Sequence, residues 1–517
     1  MSLQGWRWPA AILLVLALAG AFRFHGVAND LLYDPLAYAE YAYNLAHGHF
    51  TLADDFPIAH RLPVLVPVAA SYAAFGVSEA STHLWPMALG LAHVLLVIAL
   101  GARLFDRATG LLAGFLLALL PLEVVVATSL LPDIVMSTFL TGAVLGWTAG
   151  LERPDRPRAW PLLAGGACFV IAALTRAYAA VLGVFFLADA VRVRPRLDAL
   201  AWLGLGAAGV AIPLALAYQA QAGSALYPLQ VQSAVFGEKY KPEPYDPLYY
   251  ARNFWNPRSA GGWFGLLFFV TGAIGLVRWN RRRTVLLLWM LPLFLFLQFG
   301  SMSVSHYKHV SQQPRYITPL CAPLVLWAAS VLADLARGRG MARWAALWNT
   351  SARALAAGLA VVLGGLLLVH SWGVVSAEHA KRAAVARAFE RATEVLRHDP
   401  TAPIFFDHWR TGLAFSYYFG FTEGASFYQG ADDSARIRRR GGFGGSRFGY
   451  LPWFASPDSI PAGWIVLDED VVREARAHGA PAASYLGVRL PAYVFAPPAS
   501  WRLVEDGRLR VYRLDRR

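Results

Sequence analysis

The chain has 517 residues, of which 57% are hydrophobic and 15% charged. An ordinary soluble protein is about 25% charged. A soluble chain of this length would make about three domains of roughly 150 residues, but there is too little charge to coat them. Lipid must be the solvent for most of the chain, and disorder is excluded because disordered chains are polar and charge-rich. The net charge of +13 has two readings, a nucleic-acid partner or a membrane protein oriented by its charge. The two cysteines, Cys168 and Cys321, sit inside apolar runs and read as buried small hydrophobes rather than a disulfide framework.

In chain order, the first apolar run goes from Pro9 to Phe22. A cleaved signal peptide is one reading; a retained first helix is the simpler one, because many spans follow. Further runs of spanning or near-spanning length lie at about 84–102, 108–122, 131–150, 160–175, 177–191, 199–219, 262–278, 284–300, 316–335 and 345–373. With the first helix they predict a polytopic α-helical membrane protein of about eleven transmembrane helices. The 108–150 and 160–191 regions each read as one long reentrant span or two short ones.

Every second connecting loop is basic. The arginines are Arg103 and Arg107, then Arg153, Arg156 and Arg158, then Arg192, Arg194 and Arg196, then Arg278 and Arg281 to Arg283, then Arg337, Arg339 and Arg343. The positive-inside rule makes these loops cytoplasmic, with the N-terminus. Eleven spans then put the C-terminus outside. No basic recognition helix gathers these arginines, so a nucleic-acid partner is not expected.

The chain divides into a membrane part, 1–374, and a C-terminal part, 375–517. The latter opens with a charged amphipathic pattern from Glu378 to Arg397. Strand-like runs follow at Pro403-Ile-Phe-Phe, Trp464-Ile-Val-Leu and Tyr493-Val-Phe, with turn residues at Gly441-Gly-Phe-Gly-Gly. A small extracytoplasmic α/β domain is expected.

Three outer regions are too long or too polar to be plain connectors. The first outer loop, 25–82, carries Asp30, Asp34, Glu40, Asp54, Asp55, His60 and Arg61. Within it, Tyr38 to Leu45 and Leu62 to Phe75 have the length and apolarity of interfacial helices. Both runs are followed by a glycine, Gly48 and Gly76, a helix C-terminal signal. Asp34 precedes Pro35. It reads as a helix N-cap or as a carboxylate held at the membrane face as a general base. Asp133, in Leu131-Pro-Asp, opens a later span. It reads as a second cap or as the partner of a first-loop acid.

Arg176, in Leu-Thr-Arg-Ala-Tyr, and the stretch His306, Lys308, His309, Arg315 put cations on the outer face, where the positive-inside rule disfavours them. They fit a phosphate at the membrane surface or snorkelling to lipid headgroups. A fourth loop, 221–263, is rich in aromatics and reads as an interfacial belt or a binding flap. Asp34, Asp54, Asp55, His47, His49 and His60 share one loop. They have the chemistry to gather a divalent metal, and no metal site is assigned.

A family resemblance rests on the order of these motifs: Tyr33-Asp34-x-x-x-Tyr38, then His60-Arg61-Leu62-Pro63-x-x-x-Pro67, then Pro132-Asp133, Leu174-Thr175-Arg176 and Pro314-Arg315-Tyr316-x-x-Pro319. Over about residues 1–330 the chain resembles the GT-C superfamily of glycosyltransferases. It is most similar to the bacterial branch with the lipid A aminoarabinose transferases and the relatives of protein O-mannosyltransferases. Where the aminoarabinose branch has Glu-Lys-Pro-Pro, this chain has His60-Arg61-Leu62-Pro63, so the resemblance does not extend to that sugar or to lipid A.

The resemblance implies a transferase of the bacterial inner membrane that moves a hexosyl or pentosyl unit from a polyprenyl-phosphate donor. The acceptor would be a lipid, glycan or protein hydroxyl at the outer face, and the transfer would usually invert the anomeric centre. It maps the catalytic acid/base onto Asp34, with Asp133 in support. It maps phosphate contacts onto Arg176 and Arg315, with Lys308 and Arg61 beside them. Tyr33, Tyr38, His60, Tyr316 and His306 are the expected substrate contacts. A flippase of lipid-linked sugars would instead place ionisable groups at span centres. A polysaccharide polymerase or ligase is a closer alternative.

Overall fold

The structure is a computed structural model. It describes residues 3–28, 34–235, 245–250, 252, 262–302, 306–337, 350–421, 447–481 and 488–515. Its helices are α1 (Leu3–Gly26), α2 (Asp34–Ala46), α3 (Leu62–Phe75), α4 (Glu79–Leu104), α5 (Arg107–Leu119), α6 (Pro121–Ala127), α7 (Pro132–Gly150) and α8 (Ala159–Thr175). They continue as α9 (Leu182–Val193), α10 (Leu197–Ala222), α11 (Tyr227–Gln232), α12 (Gly262–Val277), α13 (Arg281–Phe299), α14 (Thr318–Ala336) and α15 (Thr350–Arg397).

The chain forms two compact units. One comprises Met1–Val27, His60–Val64 and His83–His379; the other comprises Ala28–Ala59, Leu65–Thr82 and Ala380–Arg517. Part of the first outer loop thus packs with the C-terminal residues.

The first unit is helical. Among the described residues, five helices are long and apolar enough to cross a membrane, or six if the bent pair α5–α6 is one span. That pair turns by 66° at Leu120-Pro121, where the proline ring starts α6 and has no N–H to lose. Helix α5 begins at Asp106, which caps the Thr109 N–H at 3.0 Å and takes the Arg337 guanidinium at 2.6 and 2.7 Å. Elsewhere backbones meet directly. A Cβ on Gly166 would stand 2.0 Å from the Leu203 carbonyl oxygen, and one on Gly206 would stand 2.0 Å from that of Leu163. Helices α8 and α10 therefore approach as small-residue interfaces in membranes do.

The second unit carries a sheet. Its further elements are β1 (Ile404–Phe406), α16 (Trp409–Tyr418), β2 (Phe448–Tyr450), β3 (Gly463–Asp468), α17 (Glu469–Ala477), α18 (Ala492–Phe495), β4 (Arg502–Glu505) and β5 (Leu509–Leu514). The strand order is β2-β1-β3-β5-β4. Strands β2, β1 and β3 run parallel, while β5 is antiparallel to both β3 and β4. Phe405, Ile465, Leu467, Trp501 and Tyr512 form the core on one face.

Two of the three strand-like runs are strands. The third, Tyr493-Val-Phe, is the short helix α18. A strand would turn Val494 away from its neighbours. The helical turn instead brings Tyr493, Val494 and Phe495 all against the core. The glycine-rich turn at 441–445 lies outside the described residues.

Both short helices expected between residues 25 and 82 form. α2 and α3 are followed by Gly48 at φ 75° and Gly76 at φ 72°, left-handed conformations that glycine adopts without strain.

Candidate functional site

In the helical unit the site is built on two proline-started turns and one helix end. Pro132 opens α7 and puts Asp133 in its first turn. Arg176 ends α8 with an extended backbone. Pro314 starts a single 3-10 turn, Pro314–Ile317, that carries Arg315 and Tyr316 into α14.

These residues meet. Asp133 is wholly buried. Its Oδ2 accepts a hydrogen bond from Arg176 Nη2 at 3.0 Å, and Arg315 Nε stands 4.0 Å from the same oxygen. Among the described residues, Asp133 Oδ1 has no hydrogen-bond partner. The Arg176 guanidinium lies 4.7 Å from the Tyr316 ring centre, and that of Arg315 lies 5.8 Å away. Arg315 Nε also donates to Gln313 Oε1 at 2.8 Å. Tyr178 lines the same spot, its ring 6.2 Å from Tyr316. One carboxylate against two guanidiniums sums to one positive charge in a poorly hydrated place. Planar guanidinium forks are suited to a phosphate there.

His60, Arg61, His306 and Lys308 belong to the helical unit as well. His60 is buried; its Nδ1 lies 3.1 Å from the Tyr218 hydroxyl, and its ring meets those of Tyr218 and Tyr227 edge-on. Arg61 is half-buried beside it in sequence. Lys308 is half-buried and His306 exposed, in a turn closed by the Ser301–His309 bridge and by Met302 N–H donating to the Lys308 carbonyl at 2.7 Å.

Asp34 and Tyr38 belong to the second unit. Asp34 is the first residue of α2 and half-buried, while Tyr38, one turn on, is wholly buried. Tyr41 on the same helix donates to Asp54 Oδ1 at 3.0 Å, and the Phe56 N–H donates to that oxygen at 2.9 Å. Burial, with the Asp54 charge beside it, pushes the Tyr41 phenol well above its ordinary range. Tyr33 lies outside the described residues. Among the described residues no group of three or more His, Cys, Asp or Glu side chains is placed to hold a metal ion.

Two buried clusters were not expected. In the helical unit, Glu123 Oε1 lies 2.6 Å from His93 Nδ1, and both side chains are fully buried. In the second unit, Asp407 takes the N–H groups of His408 and Asp468, each at 2.7 Å. Burial, reinforced by the Asp468 charge, pushes the Asp407 carboxyl up to about 8. The signal for the first pair was present: an ionisable residue inside an apolar run is a functional hypothesis by default. The Asp407 pair had no such signal, because Asp407 and Asp468 each directly follow a strand-like run, where an acid opening a turn is ordinary.

The fold is shared with solved structures of ArnT and of an archaeal oligosaccharyltransferase. The chain is similar to ArnT from Cupriavidus metallidurans in the apo state, with a TM-score of 0.62 at 15% identity, over 99% of this chain and 98% of that one. ArnT from the same organism bound to undecaprenyl phosphate gives a TM-score of 0.64 at 14% identity and the same coverage. The oligosaccharyltransferase of Archaeoglobus fulgidus in the apo form gives 0.57 at 12%, over 93% of this chain and 71% of that one. The family described as dolichyl-phosphate-mannose-protein mannosyltransferase matches residues 65–217. No curated protein sequence matches the chain.

Proposed function

We propose that this protein is an inner-membrane glycosyltransferase that moves a sugar from a polyprenyl-phosphate carrier to an acceptor hydroxyl at the outer face. In this reading residues 1–374 make the catalytic membrane part with about eleven spans and a cytoplasmic N-terminus. Residues 375–517 make an outer α/β domain. The observation that carries the proposal is the meeting of Arg176 and Arg315 on Asp133. A paired arginine site of this kind takes an anionic leaving group, and ArnT, of the same fold, has been solved with undecaprenyl phosphate bound.

The chemistry balances. The acceptor oxygen attacks the anomeric carbon from the side opposite the phosphate. The bond from that carbon to the phosphate oxygen breaks, and its electron pair leaves with the phosphate. The hydroxyl proton passes to Asp34, the general base. Arg176 and Arg315 stabilise the charge growing on the leaving phosphate, and Asp133 holds the two arginines in place beforehand. The anomeric centre inverts because a single displacement carries the transfer.

The test uses purified protein in nanodiscs and an undecaprenyl-phosphate-linked sugar. Asp34→Asn is expected to lower transfer by about 10²- to 10⁴-fold while leaving folding unchanged. Wild-type rates in that variant would remove Asp34 from the reaction. Movement of the labelled lipid across sealed vesicles without transfer to any acceptor would replace a transferase by a flippase.

A further inference from the structure

We infer that His93, Glu123 and Thr141 are positioning residues for Asp133. The inference rests on the transferase reading above and adds to it a polar device inside the helical unit.

The device begins at the bend after α5. Helix α6 has only seven residues, too few to be stable alone in any solvent that competes for its hydrogen bonds. It is held from its side by Glu123, whose Oε1 meets His93 Nδ1 on α4 at 2.6 Å. His93 Nε2 in turn meets Thr141 Oγ1 on α7 at 2.9 Å. Three helices are thereby tied at one buried point. Arg23 on α1 supplies the opposing charge to Glu123 and is itself fully buried. Gly90 makes room for it: a Cβ there would stand 2.5 Å from Arg23 Nε.

From Thr141 a ladder runs back along one stripe of α7 to the site. Thr141 Oγ1 lies 2.9 Å from the Ser137 carbonyl, and Ser137 Oγ donates to the Asp133 carbonyl at 2.8 Å. Positions 133, 137 and 141 are four apart and share a face. They cover about 12 Å of helix. The ladder ends on the backbone of Asp133, not on its carboxylate. It therefore carries no proton to the site; the Thr141–His93 bond fixes how α7 is turned about its axis, and the helix carries that setting to Asp133. A rotation by one residue would swing Asp133 away from Arg176 and break the Thr141–His93 bond together.

Apolar contacts would fasten three helices without the cost of burying ions. Discrete hydrogen bonds add a unique register, and a small misplacement of a reacting group costs far more in rate than in stability.

The experiment uses the full chain in nanodiscs with an undecaprenyl-phosphate-linked sugar. His93→Leu and Thr141→Val are expected to lower kcat about 10- to 100-fold, with the donor KM changed less than about twofold and the same melting temperature. His93→Gln, whose amide can still reach Glu123 and donate to Thr141, is expected to recover most of the rate. Wild-type kcat in His93→Leu, or equal losses in His93→Leu and His93→Gln with lowered melting, would overturn the inference.

If the wild type transfers no sugar, the transferase reading fails and an activity-free readout decides this one. Cysteines replace Asp133 and Arg176 in a chain with Cys168→Ala and Cys321→Ala. The rate at which a short bis-methanethiosulfonate reagent bridges the pair, losing one methanesulfinate at each thiol, is then compared with and without His93→Leu. Bridging at least tenfold slower with the leucine supports positioning; an unchanged rate overturns it.

Discussion

The two compact units bury carboxylates in opposite ways. In the helical unit Asp133 faces two arginines, and Glu123 faces a histidine and an arginine. In the sheet unit Asp407 faces another acid, Asp468, and is satisfied by two backbone N–H groups. Packing differs too. Helices α8 and α10 meet through glycines, whereas the sheet packs Phe405, Trp501 and Tyr512 around its core. Where the neighbours are apolar on every side, an acid is retained only against cations. Where backbone donors are at hand, an acid can serve as a cap. The first arrangement gathers charge between helices; the second ties the ends of β1 and β3 together.

The strongest way to break this contrast is Arg176→Ala. It leaves Asp133 buried with its nearer counter-charge removed, and the expected destabilisation is about 3–5 kcal/mol. Adding Asp133→Ala to the same chain should restore much of that loss, because the orphaned charge goes with it. Chemical unfolding in detergent, single against double variant, reads both. A double variant no more stable than the single would mean that the ion pair does not organise this part of the fold.

A second change sharpens the packing side. Gly166→Ala pushes a methyl group into the Leu203 carbonyl, 2.0 Å from the Cβ position, and should cost about 1–3 kcal/mol in the helical unit. Hydrogen exchange along β1 and β3 should not change. Equal loss of protection in both places would show that one cooperative transition unfolds the whole chain.

A third effect concerns pH. Asp407 has its carboxyl raised to about 8 from 3.8, so the folded unit holds a proton that the unfolded chain has released. Between those values stability falls as pH rises, by about 1.4 kcal/mol per unit, and below 3.8 the contribution is constant. Asp407→Asn should flatten that slope even if it lowers stability overall by misplacing one donor. Protection of the β1 and β3 amides, followed from pH 4 to 8, checks it.

Much of the helical unit was legible. Charges inside apolar surroundings stand out, which is why Asp133, Arg176 and Arg315 could be singled out before any contact between them was visible. Helix α3 was legible to the residue, because its apolar run starts after Arg61 and stops at Gly76. Glu123 and His93 carry the same signal, but nothing in the sequence pairs one with the other. Only the fold shows that they touch, 30 residues apart.

The sheet unit was harder to read. Strands β1 and β3 are continuous apolar runs, as buried parallel strands are. Strand β5, Leu-Arg-Val-Tyr-Arg-Leu, hides its buried Leu509 and Val511 among arginines. Strand β2 is three residues long, too short for any periodicity.

The bend between α5 and α6 has one further consequence, for backbone accounting. A break in a span exposes carbonyls that a continuous helix would have used, and hydrocarbon offers them nothing. Here the Leu117 carbonyl, four residues before Pro121, takes the Leu120 N–H at 3.3 Å, and at the far end of α6 Thr128 Oγ1 donates to the Val124 carbonyl at 3.0 Å and Ser129 Oγ to that of Val125 at 2.9 Å. Nearly every side chain from Leu120 to Ser137 is covered by protein. This stretch therefore answers to its protein neighbours rather than to the lipid. Substitutions in it should be judged by hydrogen bonds and volume, and a hydropathy scale is the wrong ruler for them.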